Sequence, residues 1–139
     1  MSETRGDEAQ LIQRVHALSA LLASGYEAEL VPSERLDDGI IRAGWYNYAP
    51  QIWDGIEAAK ELLGADYEYL QHIDPVRARG VPTASPSDLS TWFTWMSRGE
   101  RFCDGFLANN IAKGELATIT QRLEDLIASG EVSAPAAAS

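Results

Sequence analysis

Apolar positions recur at helical spacing along most of the chain. Leu11, Val15, Leu18 and Leu22 fall on one stripe at intervals of three and four, which predicts a helix from about Asp7 to Ser24 with Gly25 placed to stop it. The period is lost from Tyr26 to Tyr48. There Pro32, the turn signal Asp37-Asp38-Gly39 and the run from Ile40 to Tyr46 favour a short hairpin, with strands near Glu29–Val31 and Ile40–Tyr46; an irregular loop is the alternative. Helical spacing resumes at Pro50 and continues to Leu63, followed by the stop residue Gly64. Ile52, Ile56, Ala59 and Leu63 form its inner stripe, Trp53 flanks them, and Asp54, Glu57 and Glu61 lie outside. A shorter helix is expected over Asp66–Ile73, with Tyr67 and Leu70 on one side. Asp74–Pro86, with three prolines and Gly80, is expected to be a connector.

Ser85-Pro86-Ser87-Asp88 is the clearest local signal: Ser85 can cap a helix, proline fits its first position, and Asp88 at the third completes a capping box. Winding the following residues at a helical period puts Leu89, Trp92, Phe93, Met96, Cys103, Phe106 and Leu107 on one broad side, with Trp95 and Phe102 at its margin. Trp92, Phe93, Trp95, Phe102 and Phe106 can supply the largest block of hydrophobic free energy in the chain, so the other helices are expected to pack around this stretch. Gly99 interrupts it, predicting a kink or break there. Lys113-Gly114 ends the element. Glu115 opens a last helix bearing Leu116, Ile119, Leu123, Leu126 and Ile127, stopped by Gly130. These elements predict a mainly α fold: a compact bundle of about four to six helices around a central aromatic helix, with a small hairpin between the first two. Residues 1–6 are expected to fray, 7–130 to form one helical domain, and the small-residue ending 131–139 to be disordered.

Composition narrows this picture without redirecting it. An apolar fraction of 45% and a charged fraction of 23% belong to a globular protein rather than a disordered one. No apolar run approaches the roughly 20 residues of a membrane span, and the opening Met-Ser-Glu-Thr-Arg-Gly-Asp-Glu has no hydrophobic signal region, so a cytoplasmic location is expected. The net charge of -10 is concentrated: Tyr26–Asp74 holds eleven acids against three bases, whereas Pro75–Ala128 is balanced. Such a field disfavours nucleic acid and anionic membrane as partners and suits either a solubilising face or a basic protein partner.

Candidate chemistry lies in two places. Trp45, Tyr46 and Tyr48, close to Arg42, could stack a planar ligand, anchor a protein partner, or simply close one end of the core. Arg98, Glu100, Arg101 and Asp104 form the second group, with Arg98, Arg101 and Asp104 stacked three residues apart. Arg101 and Asp104 could form an internal pair while Glu100 holds Arg98 or a helix end; alternatively the arginines, beside Gly99 and Gly105, could bind an anion. Cys103, on the apolar side of this winding, is expected to be a buried, inert thiol. His16 and His72 lack metal-ligand spacing, and no phosphate loop, nucleophile elbow or dinucleotide fingerprint is present, so no metal and no cofactor are expected. Arg77 and Arg79 are expected to pair with the acidic middle segment.

The octapeptide Arg98-Gly99-Glu100-Arg101-Phe102-Cys103-Asp104-Gly105 follows an aromatic helix and precedes Gly114 and a Leu-rich last helix. It resembles the signature of an uncharacterised family of small bacterial and phage proteins, domain of unknown function 6508, over roughly Asp38–Leu126. The residue after the Asp-Gly pair departs from the pattern, being Phe106 here. The resemblance implies that the Arg-Glu-Arg-Asp cluster matters, and it brings no activity. The favoured expectation is a non-enzymatic acidic protein that binds and modulates a basic protein partner, such as a phage or mobile-element counter-defence factor. A binder of a small anionic or nucleotide-like ligand is second, and a hydrolase using Glu100 and Asp104 as a carboxylate pair third. Oligomeric state is left open.

Overall fold

The computed structural model describes the backbone of residues 2–132 and the side chains of residues 7–132. Its order is α1 (Ser2–Ala23), β1 (Glu29–Val31), β2 (Glu34–Arg35), β3 (Ile41–Arg42), β4 (Trp45–Asn47), α2 (Pro50–Leu63), α3 (Tyr69–Arg79), α4 (Pro86–Phe102), α5 (Phe106–Ala112) and α6 (Glu115–Ser129). The fold is mainly α, with six helices among the described residues and a small β region between the first two.

α4 is the centre, as its aromatic content predicts: it packs against α2, α3, α5 and α6, while α1 closes the bundle against α2 and α6. Both halves of the capping box form, with Asp88 N–H donating to Ser85 Oγ at 3.1 Å and Ser85 N–H to Asp88 Oδ2 at 3.3 Å. Leu89, Phe93 and Met96 are fully buried against Leu18, Ile52, Ile56, Leu116, Ile119 and Leu123. Thr94 and Thr120 share that interior; Thr94 Oγ1 accepts from Asp66 N–H and Thr120 donates to the Leu116 carbonyl, so neither hydroxyl lacks a partner.

Several boundaries differ from the sequence reading. α1 begins at Ser2, five residues before the Asp7 expected from the apolar stripe. A first turn needs no apolar anchor, so the apolar stripe does not mark where the helix starts. α3 covers Tyr69–Arg79 and runs through Pro75 into the expected connector. The proline removes a donor from an exposed face, at a cost of roughly 3 kcal/mol, while Tyr69, Ile73 and Val76 are buried on the other side. Tyr67 and Leu70, expected on one side of the short helix, are both exposed. Val132, assigned to the tail, is buried against the core; the tail from residue 133 onward lies outside the described residues.

The hairpin is present in two pieces. β1 pairs with β4 in antiparallel register (Leu30 opposite Tyr46), and β2 with β3 (Arg35 opposite Ile41). The expected turn closes it: Ile40 N–H donates to Asp38 Oδ1 at 3.0 Å, and Gly39 takes a positive φ of 86°.

Candidate functional site

The break in the aromatic helix falls at Cys103–Gly105, four residues beyond the expected Gly99. Gly99 stays helical, and its missing side chain serves another purpose: a Cβ there would collide with the Phe106 ring, which folds back across it. Gly105 makes the turn, with a φ of 89° that favours glycine, and opens α5 without a capping side chain of its own. Glu100 supplies the cap from the last turn of α4. Its carboxylate accepts from Leu107 N–H at 2.8 Å and from Gly105 N–H at 3.3 Å. The expectation that Glu100 holds a helix end describes this arrangement.

The aromatic cluster reaches the same place. Tyr46 and Tyr48, two residues apart, have nearly parallel rings with centroids 6.4 Å apart, and Tyr48 meets Trp53 edge-on at 5.8 Å. The Tyr46 ring lies directly over Gly105. Tyr48 Oη accepts from Ala108 N–H at 3.0 Å, so the first turn of α5 is held by two side chains distant in sequence. Burial, followed by the charge and hydrogen bond of Glu100, pushes the Tyr48 phenol well above its ordinary range; the Ala108 N–H opposes this. Tyr48 is therefore neutral wherever the protein is folded near neutral pH.

The other candidates disperse. Helix α4 ends at Phe102, so Asp104 leaves the strip expected to join it to Arg98 and Arg101. Among the described residues no ion pair links Arg101 to Asp104. Arg98 turns toward the Tyr67 ring, 5.4 Å from its centroid, and Arg42 lies on β3 opposite Glu34 in the outer half of the ribbon. Trp45 is about half exposed. Cys103 is exposed, not buried, because the helix ends before it; Phe102, the last residue of α4 and expected at the core margin, is 81% exposed. Arg77 and Arg79 do not pair with the acidic middle segment: Arg77 sits 4.8 Å over the Trp95 ring, and Arg79 bonds Asp88 at 2.6 Å.

Two groupings had no signal in the sequence. A cleft of about 280 Å³ opens between α2 and α4, lined by Trp53, Glu57, Lys60, Ser97, Glu100 and Arg101. Elsewhere Asp66 Oδ2 accepts from His72 Nδ1 at 2.8 Å and from Thr91 Oγ1 at 2.7 Å, tying the start of α3 to α4. Partial burial opposes ionisation of Asp66, but the bonds from Thr91 and His72 outweigh it and hold the carboxyl below its usual range. The Asp66 hydrogen bond lifts His72 above its own. The residues pair across a gap of six positions, not the i+2 neighbour Asp74. No three of His, Cys, Asp or Glu converge as metal ligands among the described residues, and no described helix is long and apolar enough to cross a membrane.

A match to the family of unknown function DUF6508 covers residues 7–129. The chain belongs to that family. The match takes in α1 and the ribbon as well as the Arg-Gly-Glu-Arg octapeptide, a longer span than the Asp38–Leu126 of the sequence resemblance. No curated protein and no solved structure matches the chain. Within this DUF6508 protein, the octapeptide is the segment that ends α4, starts α5 and seats the ribbon's Tyr46.

Proposed function

We propose that this protein is a non-enzymatic interaction protein whose β-ribbon docks on a basic protein partner. The observation that carries the reading is that four large apolar side chains of the ribbon remain in water. Leu30, Ile40, Ile41 and Trp45 are all exposed on the ribbon, each between 46% and 61%. Glu27, Glu29, Glu34, Asp37 and Asp38 lie in the same segment against only Arg35 and Arg42. Exposed apolar side chains interspersed with acids suit a partner with apolar contacts inside a basic surround. Two-stranded pairing also leaves outer backbone edges on which a partner strand can add. Modulation of a host factor, as in phage or mobile-element counter-defence, is a use consistent with such an arm.

The carboxylate-pair hydrolase has less support. Both Glu100 oxygens are engaged by backbone N–H groups, and Asp104 has left the helix that was to align it with Glu100.

The test compares proteins captured by the wild-type chain with those captured by Leu30→Thr/Ile41→Thr, which keeps strand-forming residues while removing apolar area. A partner retained by wild type, lost from the variant and released by raised salt supports docking through the ribbon. Equal capture by both proteins rules the ribbon out as the contact.

A further inference from the structure

The cleft between α2 and α4 has an imbalance of hydrogen-bonding capacity that its formal charge hides. Its four charged residues cancel: Glu57 and Glu100 against Lys60 and Arg101. One of the two carboxylates is occupied: Glu100 takes the N–H groups of Gly105 and Leu107 and lies beside Tyr48, while Glu57 meets only Lys60 among the described residues. The donors outnumber the acceptors that remain. The Lys60 side chain is only 17% exposed, yet its ammonium has a single marginal contact, 3.5 Å from Glu57. Arg101 enters none of the ion pairs among the described residues, although its guanidinium carries five N–H donors in a planar fork. Ser97 Oγ spends its proton on the Thr94 carbonyl, and Trp53 adds an aromatic wall. An ammonium on a mostly buried side chain and a guanidinium in no ion pair among the described residues, lining one cleft, are matched by an oxyanion.

We propose that this cleft binds a small organic oxyanion, a carboxylate or phosphate monoester on a planar apolar group, with the anion between Arg101 and Lys60 and the apolar part against Trp53. Its volume lies just below the roughly 300 to 1,000 Å³ usual for small-molecule sites, which restricts the ligand to a single ring or a short chain. The ligand also touches the ribbon's anchor, because Trp53 contacts Tyr48 and Glu100 caps α5. This site stands independently of the docking reading.

The experiment is a nuclear magnetic resonance titration of the ¹⁵N-labelled full chain with benzoate and with phenyl phosphate, at constant ionic strength, with benzyl alcohol as the neutral control. The expected result is saturable shifts of the Trp53 indole and Arg101 side-chain signals with at least one anion. Binding should be at least about tenfold weaker for benzyl alcohol, as expected when a charge-assisted pair is missing. Arg101→Gln, at an exposed position, and Lys60→Met, which keeps the apolar stem, should each weaken the anion by a similar factor while melting like wild type. The carboxylate and phosphate arms separate the two anion sources. Absence of saturable shifts with both anions, equal affinity for benzyl alcohol, or affinity unchanged in both variants would overturn the proposal.

Discussion

Gly105 carries two constraints at once, a left-handed backbone and a tyrosine ring against its Cα. A Cβ there would stand 2.7 Å from Tyr46 Cε2, so Gly105→Ala pays both for the positive φ and for moving the ring. The first term alone is roughly 1 to 2 kcal/mol, and the variant is expected to lose about 2 to 3 kcal/mol in urea unfolding. The Asp66–His72 pair makes a prediction in pH. Folded Asp66 ionises below its ordinary 3.8, so its contribution is present above that value and is lost as pH falls through the lower folded one. Folded His72 titrates above its ordinary 6.5, so its contribution is complete below 6.5 and fades as pH rises through the folded value. The pair therefore stabilises most between 3.8 and 6.5. The stability deficit of His72→Asn should be largest in that window and shrink at higher pH; a deficit independent of pH would refute this assignment.

Among the elements, α5 depends most on others. It has seven residues, too few to be stable alone, and begins at a glycine that cannot cap it. Glu100 and Tyr48 supply what it lacks. Glu100→Ala removes two charge-assisted bonds and should cost about 2 to 3 kcal/mol, and Glu100→Gln less because its amide oxygen still accepts one N–H. Tyr48→Phe should cost about 1 kcal/mol and speed hydrogen exchange at the Ala108 amide in particular. If Glu100→Ala melts like wild type, Glu100 is not the clasp of α5. The α3 boundaries show the limit of element-by-element reading: Pro75 reads as a stop when burial is unknown, and is tolerated because its own side faces solvent while Ile73 and Val76 are held by α4.

At the scale of the whole molecule, the buried core and the ribbon proposed to dock a partner are separate. Phe93 is fully buried at the centre, and Phe93→Ala should cost about 3 to 5 kcal/mol. Leu30→Thr/Ile41→Thr on the ribbon should stay within about 1 kcal/mol of wild type, because exposed positions outside special features change stability by about 0.5 kcal/mol each. Partner association through the ribbon should slow as ionic strength rises, reflecting long-range attraction between the acidic arm and a basic surface. Thermal unfolding of the double variant checks the first point, and stopped-flow association against salt, once the partner is in hand, the second.

Local and periodic information is legible in the chain because it is written within one or two turns. The capping box at Ser85, the Pro50–Leu63 limits of α2, the Gly114 and Gly130 stops and the Asp37-Asp38-Gly39 turn each depend on neighbours fewer than about five residues away. The central place of α4 follows from its aromatic content, since the largest apolar area must find the most neighbours. Long-range partners are different, because a carboxylate or a phenol carries no mark of which distant donor it will meet. Only tertiary structure decided that Glu100 and Tyr48, 52 positions apart, would converge on one short helix, that the chain would leave the helix before Asp104 with Phe102 and Cys103 exposed, and that Lys60 and Arg101 would line one cleft.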